Sequence, residues 1–160
     1  MTHHLSKLLL LVTVALVTPL SARDTYSIRH ALARQDYGSA LALTKQEFAR
    51  VRSGGEAANL IQVIISSAPA EQIPPLVTAA VEANPQHGQE VVHAAIEGAS
   101  PSERAAIITS VYYALTQNPG TPTPLLDYVS DLAHGGTGVP SHQVLTVPWF
   151  NPGATIGHNR

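Results

Sequence analysis

A repeat of about sixteen residues constrains this chain more than any other feature. Leu60-Ile61-x-x-Ile64-Ile65, Leu76-Val77-x-x-Ala80-Val81, Val91-Val92-x-x-Ala95-Ile96 and Ile107-Ile108-x-x-Val111-Tyr112 align on one pattern. An apolar pair is followed, two residues later, by a second small or apolar pair. Pro69, Pro85 and Pro101 keep the same interval, and Pro119 falls two residues late. On a helix of about 3.6 residues per turn, these four positions lie within about 140° of arc, a single apolar face. The pattern therefore predicts one short amphipathic helix per repeat, of about 10–13 residues and about 15–20 Å. Helices of that length are unstable alone and must pack on neighbours. Connections of two to four residues set successive helices antiparallel. The expected fold is all-α, either a compact bundle or a short α-solenoid.

Local signals place the boundaries. Ser100-Pro101-Ser102-Glu103 is a full capping box, with proline at the first helical position where its missing N–H costs nothing. Asn84-Pro85 is expected to start a helix in the same way. Ile73-Pro74-Pro75 interrupts its repeat, so that helix is expected to begin at Pro74 or Pro75, leaving Pro69 to Gln72 as a single turn. Upstream, Arg23 to Arg52 reads as two helices. Tyr26, Ile28, Ala31, Leu32 and Ala33 form the apolar side of the first, and Leu41, Leu43, Thr44, Phe48 and Val51 that of the second. Asp36 or Ser39 supplies the cap between them. Arg50 and Arg52 are expected in the last turn, with Ser53-Gly54-Gly55 as the stop. The phrase Ala31 to Leu41 resembles the inner turn of a tetratricopeptide unit, but no second copy follows at the spacing of such repeats. Downstream, Leu125, Leu126, Val129 and Leu132 stripe a last helix over 125–134, ended by Gly135-Gly136-Thr137-Gly138.

The ends of the chain differ from this helical block. Lys7, the apolar run Leu8 to Val17 and the small residues up to Ala22 have the layout of a secretory signal peptide, cut after Ala22. The run is shorter than the roughly 20 residues of a membrane span, so no stable anchor is expected after cleavage. The organisation expected is a signal peptide over 1–22, a helical repeat domain over 23–134 and a flexible Gly/Pro-rich tail over 135–160. Within the tail, Gln143 to Val147 reads as a short extended segment. The destination is the periplasm or the medium.

Composition narrows the chemistry. The 160 residues are 44% hydrophobic and only 5% aromatic, with much of the apolar share in alanine. That describes thin helices in close approach, with few large side chains to shape a pocket. The absence of cysteine excludes disulfides, thiolate metal sites and a lipoprotein anchor. A net charge of −2 gives no reason to expect nucleic acid as a partner. Residues 23–52 hold six basic side chains against three acids, whereas no lysine or arginine lies between Glu56 and Arg104. Such polarity can steer a cationic partner or set one end of a molecule against another.

No catalytic, cofactor or metal residue is singled out. His3 and His4 fall in the signal region, and no histidine pair has the i, i+4 spacing of a helical zinc site. His87 and His93, six apart, face opposite ways on a helix, while His134, His142 and His158 lie in or near the tail. Glu71, Glu82, Glu90, Glu97 and Glu103 read as a solvated face, with no marked carboxylate pair. There is no Gly-x-Ser-x-Gly elbow, and Gly135-Gly136-Thr137-Gly138 lacks the ending of a phosphate loop. Trp149 and Phe150, framed by Pro148 and Pro152, are the candidate partner-binding residues, or a plug for the chain's own apolar edge.

Ala68-Pro69, Leu76-Val77-Thr78-Ala79-Ala80-Val81 and Val91-Val92-His93-Ala94-Ala95-Ile96 resemble units of exported, alanine-rich helical-repeat proteins of environmental bacteria. The resemblance covers about a third of the chain. It implies a helical-repeat fold and no site. The functional expectation is an exported, non-enzymatic module that binds a protein or a cell-envelope component. The alternatives are a self-assembling structural protein and, with less support, an extracytoplasmic hydrolase.

Overall fold

The computed structural model describes residues 22–136, with side chains from residue 25 onward. These residues form seven α-helices: α1 (Ala22–Ala33), α2 (Tyr37–Phe48), α3 (Gly54–Ile65), α4 (Ile73–Ala83), α5 (Gly88–Glu97), α6 (Pro101–Gln117) and α7 (Thr123–Ala133). Single turns of 3-10 helix occupy Ala70–Gln72 and Pro85–His87. No strand occurs among the described residues, and no helix there is long and apolar enough to cross a membrane. The fold is all-α.

Each repeat occupies one helix, α3 to α6 in turn. Its first three apolar positions are buried in the first three repeats (Leu60, Ile61 and Ile64; Leu76, Val77 and Ala80; Val91, Val92 and Ala95), and in the fourth Ile107 and Val111 are buried and Ile108 half-buried. The last position sits at the edge of the arc and varies: Val81 is buried, Ile65 and Ile96 are half-buried, and Tyr112 is exposed. Helix packing doubles the repeat. The closest packing joins α4 to α6, α3 to α5 and α2 to α4, whereas α3 and α4, consecutive in the chain, touch far less. The molecule is thus a compact bundle of two rows. One is α2, α4 and α6; the other is α1, α3 and α5, with α7 closing against α6 and α5.

Seven buried alanines (Ala31, Ala40, Ala57, Ala79, Ala80, Ala94 and Ala95) let the rows approach closely. Phe48 and Tyr128 supply the aromatic bulk of the core. At Gly88 even a methyl group is too large: a Cβ there would lie 2.7 and 2.9 Å from the two methyls of Leu125. Glycine therefore seats α7 on α5, and the buried Gln89 fixes it by donating to the Pro124 carbonyl at 2.8 Å.

Caps define the joints. The Ser100–Glu103 box forms as expected, with the Ser100 hydroxyl accepting from the Glu103 N–H and the Glu103 carboxylate from the Ser100 N–H. Those bonds hold the Glu103 carboxyl below its ordinary value. Asp36, not Ser39, caps α2 by accepting from the Ser39 N–H at 3.1 Å. The glycine stop after α7 is a Schellman turn: Gly135 takes φ +88°, Gly136 N–H bonds Asp131 O and Gly135 N–H bonds Leu132 O.

Several boundaries and faces differ from the sequence expectation. α2 ends at Phe48, so Arg50 and Arg52 lie beyond its last turn. Ser53 does not stop α2. It caps α3, accepting from the Glu56 N–H, and Gly54-Gly55 open that helix. Asn84 does hold the N-cap position before Pro85, at the start of the 3-10 turn, but its side chain makes no capping bond, because it donates instead to two carbonyls at the end of α2. On α1, Ile28, Ala31 and Leu32 are buried but Tyr26 and Ala33 face solvent. α6 reaches 17 residues, since nothing interrupts it between Pro101 and Asn118.

Candidate functional site

The two rows present two outward faces, and the unassigned x-x positions of the repeats line both. On the row of α2, α4 and α6, a groove of about 460 Å³ is lined by Leu41, Ala42, Lys45, Pro75, Thr78, Ala79, Glu82 and Ser110. α4 is its floor, where the small side chains of Pro75, Thr78 and Ala79 stand, with Glu82 at one end. Lys45 and Glu82 pair across α2 and α4 at 2.8 Å and cancel each other's charge. The Thr78 and Ser110 hydroxyls meet at 2.9 Å and tie α4 to α6. Tyr113 lies three residues beyond Ser110, on the same side of α6, and is 68% exposed. The groove is open, electrically neutral and rimmed by a tyrosine.

Neutrality extends along α6. From Ala105 to Gln117 the helix carries no charged residue, yet Ala105, Ala106, Thr109, Tyr112, Tyr113 and Thr116 are all exposed. A solvated helix face ordinarily carries charges opposite its apolar stripe. An uncharged face of three turns bearing two tyrosines is suited to contact with another surface.

The other face is acidic. Between α3 and α5 a second groove, about 470 Å³, is lined by Gly54, Gly55, Ala58, Gln62, Glu90, His93, Ala94 and Glu97. Its carboxylates have different roles. Glu97 is exposed, whereas Glu90 is turned inward against Gly54 at the start of α3, with the His87 ring nitrogen at 3.8 Å. A carboxylate at a helix start is favoured by the helix dipole. Burial, and then the Glu90 charge, push the Tyr128 phenol well above its ordinary range, so Tyr128 stays neutral. Glu90 thus lies close to both the start of α3 and Tyr128 of α7. Among the described residues no group of three histidine, aspartate or glutamate side chains converges in a way that holds a metal ion.

Trp149 and Phe150, the aromatic pair singled out by sequence, lie outside the described residues, as do His142 and His158. Glu71, Glu82, Glu90, Glu97 and Glu103 do not converge: Glu82 belongs to one face, Glu90 and Glu97 to the other, and Glu103 to the capping box. The groove residues Ala42, Lys45, Thr78 and Ser110 were not foreseen. Thr78-Ala79 and Thr109-Ser110 occupy the x-x slots of the second and fourth repeats, while Gln62 and His93-Ala94 occupy those of the first and third. Small residues in the even repeats were the available signal for a floor. Compared with protein-family models, curated proteins and solved structures, the chain matches none of them.

Proposed function

We propose that this protein is an exported, non-enzymatic helical module that binds an uncharged stretch of a partner protein along α2, α4 and α6. The groove carries the reading. A floor of Pro75, Thr78 and Ala79 admits a polypeptide backbone closely, the Lys45–Glu82 pair leaves no net charge to attract an ionic ligand, and the exposed Tyr113 rims one side. Tyrosine contributes contact area at low entropic cost, which is why it anchors protein interfaces. Export rests on the basic start, apolar run and small residues that end at Ala22. In this proposal Trp149 and Phe150 serve as a second point of attachment.

A photocrosslinking side chain placed at Ser110 tests the site in cells that make the protein. The expected result is one discrete adduct with a second protein, lost when Ala42→Trp fills the groove and absent when the crosslinker is placed at Asn59 on α3. Equal adducts from both positions, or an adduct indifferent to Ala42→Trp, oppose the proposal.

A further inference from the structure

We propose that the two ends of the array are complementary surfaces, and that copies of this chain stack head to tail, α6 of one copy beside α2 of the next. This contact is separate from the groove and does not depend on what the groove binds.

Three observations support it. First, each end of the α2–α4–α6 row carries exposed residues without charge. Ser110 turns toward α4 through Thr78, so helical rotation places Ala105, Tyr112 and Thr116 on the side of α6 away from α4. Leu41 and Lys45 turn toward α4 through the groove and Glu82, which places exposed Ser39 and Gln46, with the half-buried Leu43 between them, on the far side of α2. No charge lies in either set, and small residues in both permit close approach. Second, the two parts of the sequence that supply these strips carry opposite charge balances. Residues 23–52 hold six basic and three acidic side chains, a balance of +3, while residues 53–136 hold one basic and eight acidic, a balance of −7. Exposed Arg29 lies on α1 and exposed Arg34 just beyond its end, next to α2; exposed Asp127 and Asp131, one helical turn apart, lie on α7, which packs on α6. Third, the contact reproduces packing already present. α2 on α4 and α4 on α6 are among the densest contacts in the molecule, and α6 on the next α2 continues the row.

Because the two surfaces differ, each contact leaves one of each kind free, and the assembly is open-ended. Opposite charge also favours encounter in the correct orientation, so association weakens as salt screens it.

The experiment is light scattering on the chain recovered from producing cells, over a wide concentration range at low salt. Expected is a mass that grows with concentration without settling at a dimer. Two variants of exposed, helix-compatible positions then block one end each: Ser39→Glu with Gln46→Glu at one, Tyr112→Glu with Thr116→Glu at the other. Each alone is expected to be monomeric, with unchanged helix content by circular dichroism. Mixed, they are expected to give a species of about twice the monomer mass, since each retains the end the other lacks. A wild-type chain that stays monomeric throughout, a mass that stops at a dimer, or blocked variants that fail to pair overturns the proposal. So does self-association that appears only when residues 137–160 are removed, which would place the chain's own C-terminal segment on α6. The Ser110 crosslink reports on the groove separately, so failure of stacking leaves that reading standing and the reverse is equally true.

Discussion

Replacing Phe48 by alanine is expected to lower the free energy of unfolding by about 3–5 kcal/mol, the usual cost of deleting a fully buried phenylalanine. Phe48 is 0% exposed and heads the fully buried side chains by volume. The rest of the core consists largely of alanine, valine, leucine and isoleucine, side chains smaller than the space a phenylalanine leaves. Thin helices in close contact relax little, which places the loss toward the upper half of that range. Phe48 is also the last residue of α2, the helix that supplies Leu41, Ala42 and Lys45 to the groove. Urea unfolding followed by circular dichroism measures the change. A loss below about 1 kcal/mol would show that Phe48 is not the keystone described here.

Asn84→Asp is expected to cost about 3 kcal/mol at neutral pH, although it exchanges a single NH₂ for oxygen. The Asn84 amide nitrogen donates to Phe48 O and to Val51 O, each at 3.0 Å. Both partners are carbonyls, so only the NH₂ group can face them. These carbonyls lie at and just beyond the end of α2, where helical partners run out. An aspartate removes both donors and sets negative charge against two carbonyl dipoles. The charged form is disfavoured, so the folded-state pKa of the new carboxyl is raised. Its penalty is fully present above that raised pKa and shrinks as pH falls through it, because a protonated carboxyl can again donate one bond. Asn84→Ala, with no charge, is expected to cost less and to show no such pH dependence. An Asn84→Asp variant as stable as the parent at pH 7 would contradict this account of the α2–α4 joint.

The helices were legible because their signals are local. Four apolar quartets at a fixed interval determine four buried faces, and Ser100 with Glu103 caps its helix through atoms three residues apart. The groove was not legible, because its contacts join residues 32 and 37 apart in the chain, Thr78 with Ser110 and Lys45 with Glu82. A sixteen-residue repeat states that each helix has one apolar face. It does not state which helix that face meets, and neighbours-but-one prove closer than neighbours. The misplaced boundaries share a cause: a polar residue between two helices has more than one bonding option. Ser53 serves the helix after it, and Asn84, read as a cap, is claimed by α2 across the bundle. Tyr26 and Tyr112 mark the limit of the hydrophobic pattern, since an aromatic at the edge of a stripe can turn inward or outward. Tyr26 and Tyr112 are 67% and 38% exposed.

The two faces of the array differ in a way that the net charge of −2 conceals. The α3–α5 groove has two carboxylates and no lysine or arginine among its lining residues, whereas the α2–α4–α6 groove carries one balanced pair. In the proposed function the balanced face takes a neutral polypeptide, and the acidic face is left to solvent or a cationic surface.

The row order α2–α4–α6 underlies every functional statement made here, and the absence of native cysteine makes it directly testable. With Thr78 and Ser110 both replaced by cysteine, the sulfurs take the places of hydroxyls 2.9 Å apart, within reach of a disulfide. Under mild oxidation the predicted result is near-complete formation of an intramolecular disulfide, with helix content unchanged. A control pair at Asn59 and Ser110, on opposite rows, should remain reduced. Failure of the Thr78–Ser110 pair to close, or equal closure of the control, would contradict the two-row array and the groove with it.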